Sequence, residues 1–209
     1  MLIREVMHPD PITVKPSTRL KEAYKIMQDN NIRHLPVMDH KKLVGIVTDR
    51  DLRLATSKLT LHPYDVETEV GMLMSHPVQF THPSDPVEIA TRTMRELKIG
   101  CLPVIEDRKL VGIVTGMDLL DALLLLTGIH QPSGRLDVRL NDRVGELARL
   151  TAILAEHKIN VHSILSYREK NRKIRIVLRV GTIEMKLLAE AICNAGFEVI
   201  WPVHIACIK

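Results

Sequence analysis

A chain of 209 residues has room for one large domain or two to three small ones, and its 45% hydrophobic and 26% charged residues are those of a folded protein. Its net charge of +4 is dispersed along the sequence, and Tyr24, Tyr64, Phe80, Tyr167, Phe197 and Trp201 are its whole aromatic complement. A nucleic-acid partner bound through base stacking or a basic footprint is therefore not expected. The longest apolar stretch, 119–129, is interrupted by Asp121. It is also too short to span a bilayer, which takes ~20 residues. The N-terminal MLIREVMHPD has no apolar signal core. Cys101, Cys193 and Cys207 lack C-x-x-C spacing and read as free thiols of a reducing compartment, so a cytoplasmic protein without a membrane partner is expected.

Taken in order, 12–14 (Ile-Thr-Val) reads as a short strand, and Pro16-Ser17-Thr18 opens a helix with Ser17 or Thr18 as its N-cap. Leu20, Ala23, Ile26 and Met27 carry the apolar stripe of that helix to about Asn30 or Asn31. Residues 35–38 and 43–48 form a hairpin turning through 39–42, and Asp49 or Asp51 begins a second helix. A shift of 67 residues reproduces the whole pattern: Met7 falls on Met74, Leu35-Pro36-Val37 on Leu102-Pro103-Val104, and the seven residues from Lys42 to Thr48 on those from Lys109 to Thr115. Two βαββα units follow, over 1–62 and 63–127. The run 122–126 (Ala-Leu-Leu-Leu-Leu) is apolar nearly all round and calls for burial, between the repeats or against a second subunit.

Residues 128–134 (Gly-Ile-His-Gln-Pro-Ser-Gly) form a linker. Beyond it, 135–209 reads β-α-β-β-α-β, the ferredoxin-like order: strand 135–140, helix from Leu147 to about Lys158, strands 161–168 and 174–180, helix 185–195 ended by Gly196, and a closing strand 197–205.

Each repeat ends in Gly-Ile-Val-Thr with an Asp three residues after the Thr. One reading is a helix cap. The other is a pocket in which the carboxylate accepts both hydroxyls of a ribose while the Thr hydroxyl and the free N–H groups of a helix start meet a phosphate. The motifs VM-x-P, T-V-x-P, R-H-L-P-V-M-D and G-I-V-T-x-x-D of the first copy, the last two echoed in the second, resemble the cystathionine-β-synthase (CBS) domain in tandem. The resemblance assigns ribose contacts to Thr48 and Asp51, and to Thr115 and Asp118. It points Arg33 and His34 at phosphate. Arg50 stands where the second copy has Met117, so the first repeat's motif, with Arg33 and His34 nearby, looks suited to phosphate and the second does not.

The stretch Asn141-Asp142-Arg143-Val144-Gly145 before the third domain's first helix is similar to the ligand loop of ACT domains, although Val144 takes the place of the usual Pro. Asn141, Asp142 and Gly145 are its candidate contacts, with a plain turn capped by Asn141 or Asp142 as the alternative. Two CBS repeats followed by an ACT domain resemble the B-type acetoin-utilisation proteins of bacteria. The ten His residues show no metal spacing, Ser133, Ser163 and Ser166 lack a nucleophile-elbow context, and no catalytic residue is assigned. The expected class is α+β and the expected function regulatory and non-enzymatic, in acetoin or related carbon metabolism: an adenine nucleotide as sensed ligand, a homodimer, and an unidentified target protein. The alternative is a dimerisation adaptor with degenerate pockets.

Overall fold

The computed structural model describes residues 1–203 and 207. It divides into two compact units, Met1–Ala122 and Leu123–Lys209. The first holds both repeats. In repeat one, β1 (His8–Pro9) precedes α1 (Leu20–Asp29), the hairpin β2 (His34–Asp39) and β3 (Lys42–Thr48), and α2 (Asp49–Ala55). In repeat two, α3 (Val87–Leu97), β4 (Cys101–Glu106), β5 (Lys109–Thr115) and α4 (Gly116–Thr127) repeat the order.

The hairpins form where alternation predicts them, with Leu35, Val37 and Val47 buried in one copy and Leu102, Val104 and Val114 in the other. The segment 12–14 is reduced to one parallel bridge, Val14 to Val37, because Pro11 and Pro16 leave little backbone to extend a ladder. The N-cap of α1 is Arg19 rather than Ser17 or Thr18. Thr18 Oγ1 instead accepts the N–H of Lys15, and Glu22 reaches back to the N–H of Arg19.

The two repeats exchange their leading segments. β1 of repeat one pairs with β5 of repeat two, His8 opposite Ile113, and the equivalent Ser75 bridges Ile46 of repeat one. The turn Ile3–Glu5 seats Ile3 in the core of repeat two beside Val87, Ala90, Met94, Leu102, Val104 and Val114. Its counterpart Val70–Met72 seats Val70 in the core of repeat one. The glycine of each Gly-Ile-Val-Thr follows from this exchange: a Cβ on Gly45 would lie 2.3 Å from Met74 Sδ, and one on Gly112 would lie 2.7 Å from Met7 Sδ. Each glycine leaves room for the other repeat's methionine.

The second unit orders its strands β6 (Gly134–Asn141), β7 (Val161–Glu169), β8 (Lys173–Val180) and β9 (Glu198–Trp201) as β7-β8-β6-β9, with α5 (Glu146–Glu156) and α6 (Met185–Asn194) in between. Leu136, Val138, Leu140, Ile176 and Leu178 pack against Leu150, Leu154, Leu188 and Ile192 of the helices. The opposite sheet face is ionic: Arg135 grips buried Asp137 through two hydrogen bonds, and Arg139 joins Glu169 and Glu198. Gly196 ends α6 at φ +87°, in its expected role. The predicted closing strand is strand over 198–201, and its last positions, 204–205, lie outside the described residues.

One expectation is corrected here. Cys193 and Cys207 are disulfide-bonded, their Cα atoms 5.2 Å apart, and only Cys101 is a free thiol. Pairing across 14 residues leaves no local signature of the C-x-x-C kind, and it is the chain's return after α6 that brings the two together. The leucines of 122–126 do not all find cover: Ala122 is buried, but Leu123, Leu124, Leu125 and Leu126 remain between 38% and 59% exposed.

Candidate functional site

The site in the first unit is built on the junction of strand and helix that ends each repeat. Thr115 closes β5, and its N–H and hydroxyl both donate to Asp118 Oδ2, at 2.7 and 2.8 Å. Thr48 does the same to Asp51 Oδ2, at 2.9 and 2.7 Å, and each Asp N–H returns a hydrogen bond to its Thr hydroxyl. Thr48 and Asp51 thus form a reciprocal capping box, which holds the carboxylate rigidly at the start of α2. The cap takes one oxygen of each Asp and leaves Oδ1.

A cleft of about 940 Å³ opens at Asp118. Thr115, Gly116, Met117, Asp118 and Asp121 line it from repeat two, and His8 to Ile12, Asn30 to Ile32, Arg33 and His34 line it from repeat one. Arg33 and His34 lie near Thr48 and Asp51 along the chain, but the sequence alone leaves open which ribose site they serve. The fold keeps His34 opposite Thr48 in the β2–β3 hairpin and also brings Arg33 and His34 to the cleft lined by Thr115 and Asp118. Arg50 is not among the residues lining this cleft; it stays on α2 beside Asp51, exposed, at the position Met117 holds in repeat two.

Gly100 stands where repeat one has Arg33, and a Cβ there would lie 2.9 Å from His34 Nε2, so its absence makes room for the imidazole. Burial holds the His34 ring below its ordinary titration range, against the pull of the Asp49 carboxylate, so the neutral ring is favoured. His34 then enters the cleft as a hydrogen-bonding group rather than a fixed cation. In repeat two Cys101 replaces it, and burial, with the Asp51 charge, pushes that thiol up to about 12 and leaves it inert.

Sequence reasoning missed His8, Asp10, Asn30, Asn31 and Asp121. His8 was visible only as the unspecified position of VM-x-P, and it reaches Asp118 Oδ1 at 2.9 Å. Among the described residues no group of three or more His, Cys, Asp or Glu could hold a metal.

In the second unit, Gly145 sits at φ +90° as the N-cap of α5 with no side-chain cap, so neither Asn141 nor Asp142 plays that part. Asn141 Oδ1 accepts from Lys173 Nζ, and Asp142 lies 4.0 Å from Arg168. Nothing approaches within 4 Å of a Cβ placed on Gly145, so the loop is open.

Tandem βαββα units with exchanged leading segments and a cleft between them define a pair of CBS domains. The CBS-domain family matches residues 3–58 and 69–125, and the ACT-domain family matches 134–197. The chain belongs to the CBS-domain family and carries an ACT domain after the pair.

Among solved structures, it is similar to the CBS domain pair of protein MJ0100 in complex with 5′-methylthioadenosine and S-adenosyl-L-methionine: 32% identical, TM-score 0.53, covering 59% of this chain and 95% of that one. A Vibrio cholerae protein assigned to acetoin utilization (AcuB) is 33% identical at TM-score 0.53, covering 63% of this chain and 98% of the other. CBSX2 in complex with AMP is 31% identical at TM-score 0.51, covering 59% and 96%. No described helix is long and apolar enough to cross a membrane.

Proposed function

We propose that the protein is a non-enzymatic regulator whose CBS pair binds an adenosine-containing ligand in the Asp118 cleft. The observation that carries this reading is the convergence of Arg33 and His34 from one repeat with Thr115 and Asp118 from the other in one cleft. Asp118 Oδ1 takes the ribose hydroxyls, with Thr115 holding the carboxylate in place, and Arg33 with His34 meets the anionic end. Thr48, Asp51 and Arg50 form a second, unlike site, near which the buried Cys101 stands at the position His34 holds in repeat one. Solved relatives bound to AMP and to adenosyl ligands support the ligand class.

Asp10, Asp118 and Asp121 outnumber Arg33 among the ionic residues of the Asp118 cleft. That balance favours a nucleoside with one phosphate, or with a cationic sulfonium, over a triphosphate. Domain limits of 1–62, 63–127 and 135–209 fit this division of labour. The ACT loop of Asn141, Asp142 and Gly145 is a place for a second small ligand, and similarity to AcuB supports a role in acetoin or related carbon metabolism. The exposed leucines of α4 support a homodimer, through which ligand binding reaches a target protein. A dimerisation adaptor is the second reading; the observation in its favour is that the internal cap already occupies Asp51 and Asp118.

Calorimetry of the full chain with AMP, S-adenosylmethionine and ATP separates the two. Binding of AMP or S-adenosylmethionine is expected, with ATP weaker. Asp118→Ala should lower affinity in that cleft by about ten- to a hundredfold, or ~1.5–3 kcal/mol. No heat from any of the three at millimolar concentration leaves the adaptor.

A further inference from the structure

The two ribose carboxylates are capped alike but are not equally free. Asp118 spends Oδ2 on Thr115 and Oδ1 on His8, whose Nε2–H donates across 2.9 Å. Asp51 spends Oδ2 on Thr48, and among the described residues no hydrogen bond reaches its Oδ1. The difference comes from a single substitution between repeats. Ser75 occupies the position equivalent to His8, bridging Ile46 as His8 bridges Ile113, and its shorter side chain makes no hydrogen bond to Asp51.

His8 is also suited to move. Its backbone is fixed by the pairing of β1 with β5, but its side chain is 70% exposed, so the ring can swing into solvent without opening the core. Asp118, by contrast, is buried and held by its cap.

We propose that His8 is a latch on the Asp118 cleft: its ring takes the carboxylate oxygen that a ribose diol needs, so this cleft fills only when His8 turns away, whereas among the described residues no ring holds Asp51 Oδ1. This rests on the reading that both carboxylates take ribose. A site that is competent only part of the time has its apparent affinity reduced by that fraction. The latch therefore lowers the apparent affinity of the Asp118 cleft below that of the same cleft freed of the His8 ring.

An NMR titration of the full chain with AMP tests this, because the Thr48 and Thr115 amides each donate to their own carboxylate and report on each cleft separately. His8→Ser, which gives the cleft the residue its partner already has, should tighten binding seen at Thr115 by roughly two- to fivefold, as befits an exposed pair. Binding seen at Thr48 should not change. In the double variant with Asp118→Asn the gain should vanish. If His8→Ser leaves the Thr115 titration unchanged, or weakens it, His8 is no latch; weakening makes it a ligand contact instead. If neither amide responds to AMP in wild type or variant, the ribose reading itself fails and the latch with it.

Discussion

His34 shows how one side chain's surroundings set what it can do. Burial disfavours the charged ring, so the folded state binds this proton less readily than the unfolded chain does. Stability is then undiminished above pH ~6.5 and falls as pH drops below that value, until the folded ring itself titrates. Urea unfolding of the ligand-free protein between pH 7.5 and 5.5 is expected to show this loss, and His34→Asn should lose less over the same range. Equal slopes for the two proteins would show that the ring's burial has no energetic consequence. The identity of His34 as a cleft residue could be read from its place before Leu-Pro-Val, but its neutrality could not. That depends on packing against Gly100, which belongs to the other repeat.

At the scale of elements, the hairpins and helices were legible because their apolar positions recur at spacings of two or of three to four, and the chain states those locally. The exchange of leading segments was not legible. Residues 1–10 have no strong periodicity, and their partners lie near positions 85 and 112. The glycine of Gly-Ile-Val-Thr was a trace of it, since a strand interior disfavours glycine unless something approaches closely.

Gly112 faces both Met7 Sδ and, at 3.0 Å, the His8 carbonyl, which cannot give way as a side chain can. Gly112→Ala should therefore cost about 1–2 kcal/mol in thermal or urea unfolding. It should also disturb the Thr115 amide, since pushing on β1 moves His8. An unchanged unfolding midpoint would mean that the close approach is not needed. The disulfide was equally hidden, because two cysteines 14 residues apart meet only after α6 and β9 are in place.

For the molecule as a whole, α4 leaves apolar surface uncovered. Leu120 and the leucines of 123–126 are all more than a third exposed, more apolar area on one helix than a lone chain in water tolerates easily. A homodimer is expected in sedimentation equilibrium, and Leu120→Asp should shift it toward monomer by at least tenfold in dissociation constant. A wild-type chain that is monomeric at micromolar concentration would remove dimerisation from the mechanism.

The interleaving of the repeats also changes how a specificity code for such pairs has to be written. A catalogue compiled one repeat at a time would leave Arg33 and His34 out of the Asp118 cleft that they line. The natural unit of inheritance for ligand preference in the Asp118 cleft is a composite word spelled from 8–12, 30–34 and 113–121. A single substitution near the start of the chain is then a statement about chemistry written a hundred residues later.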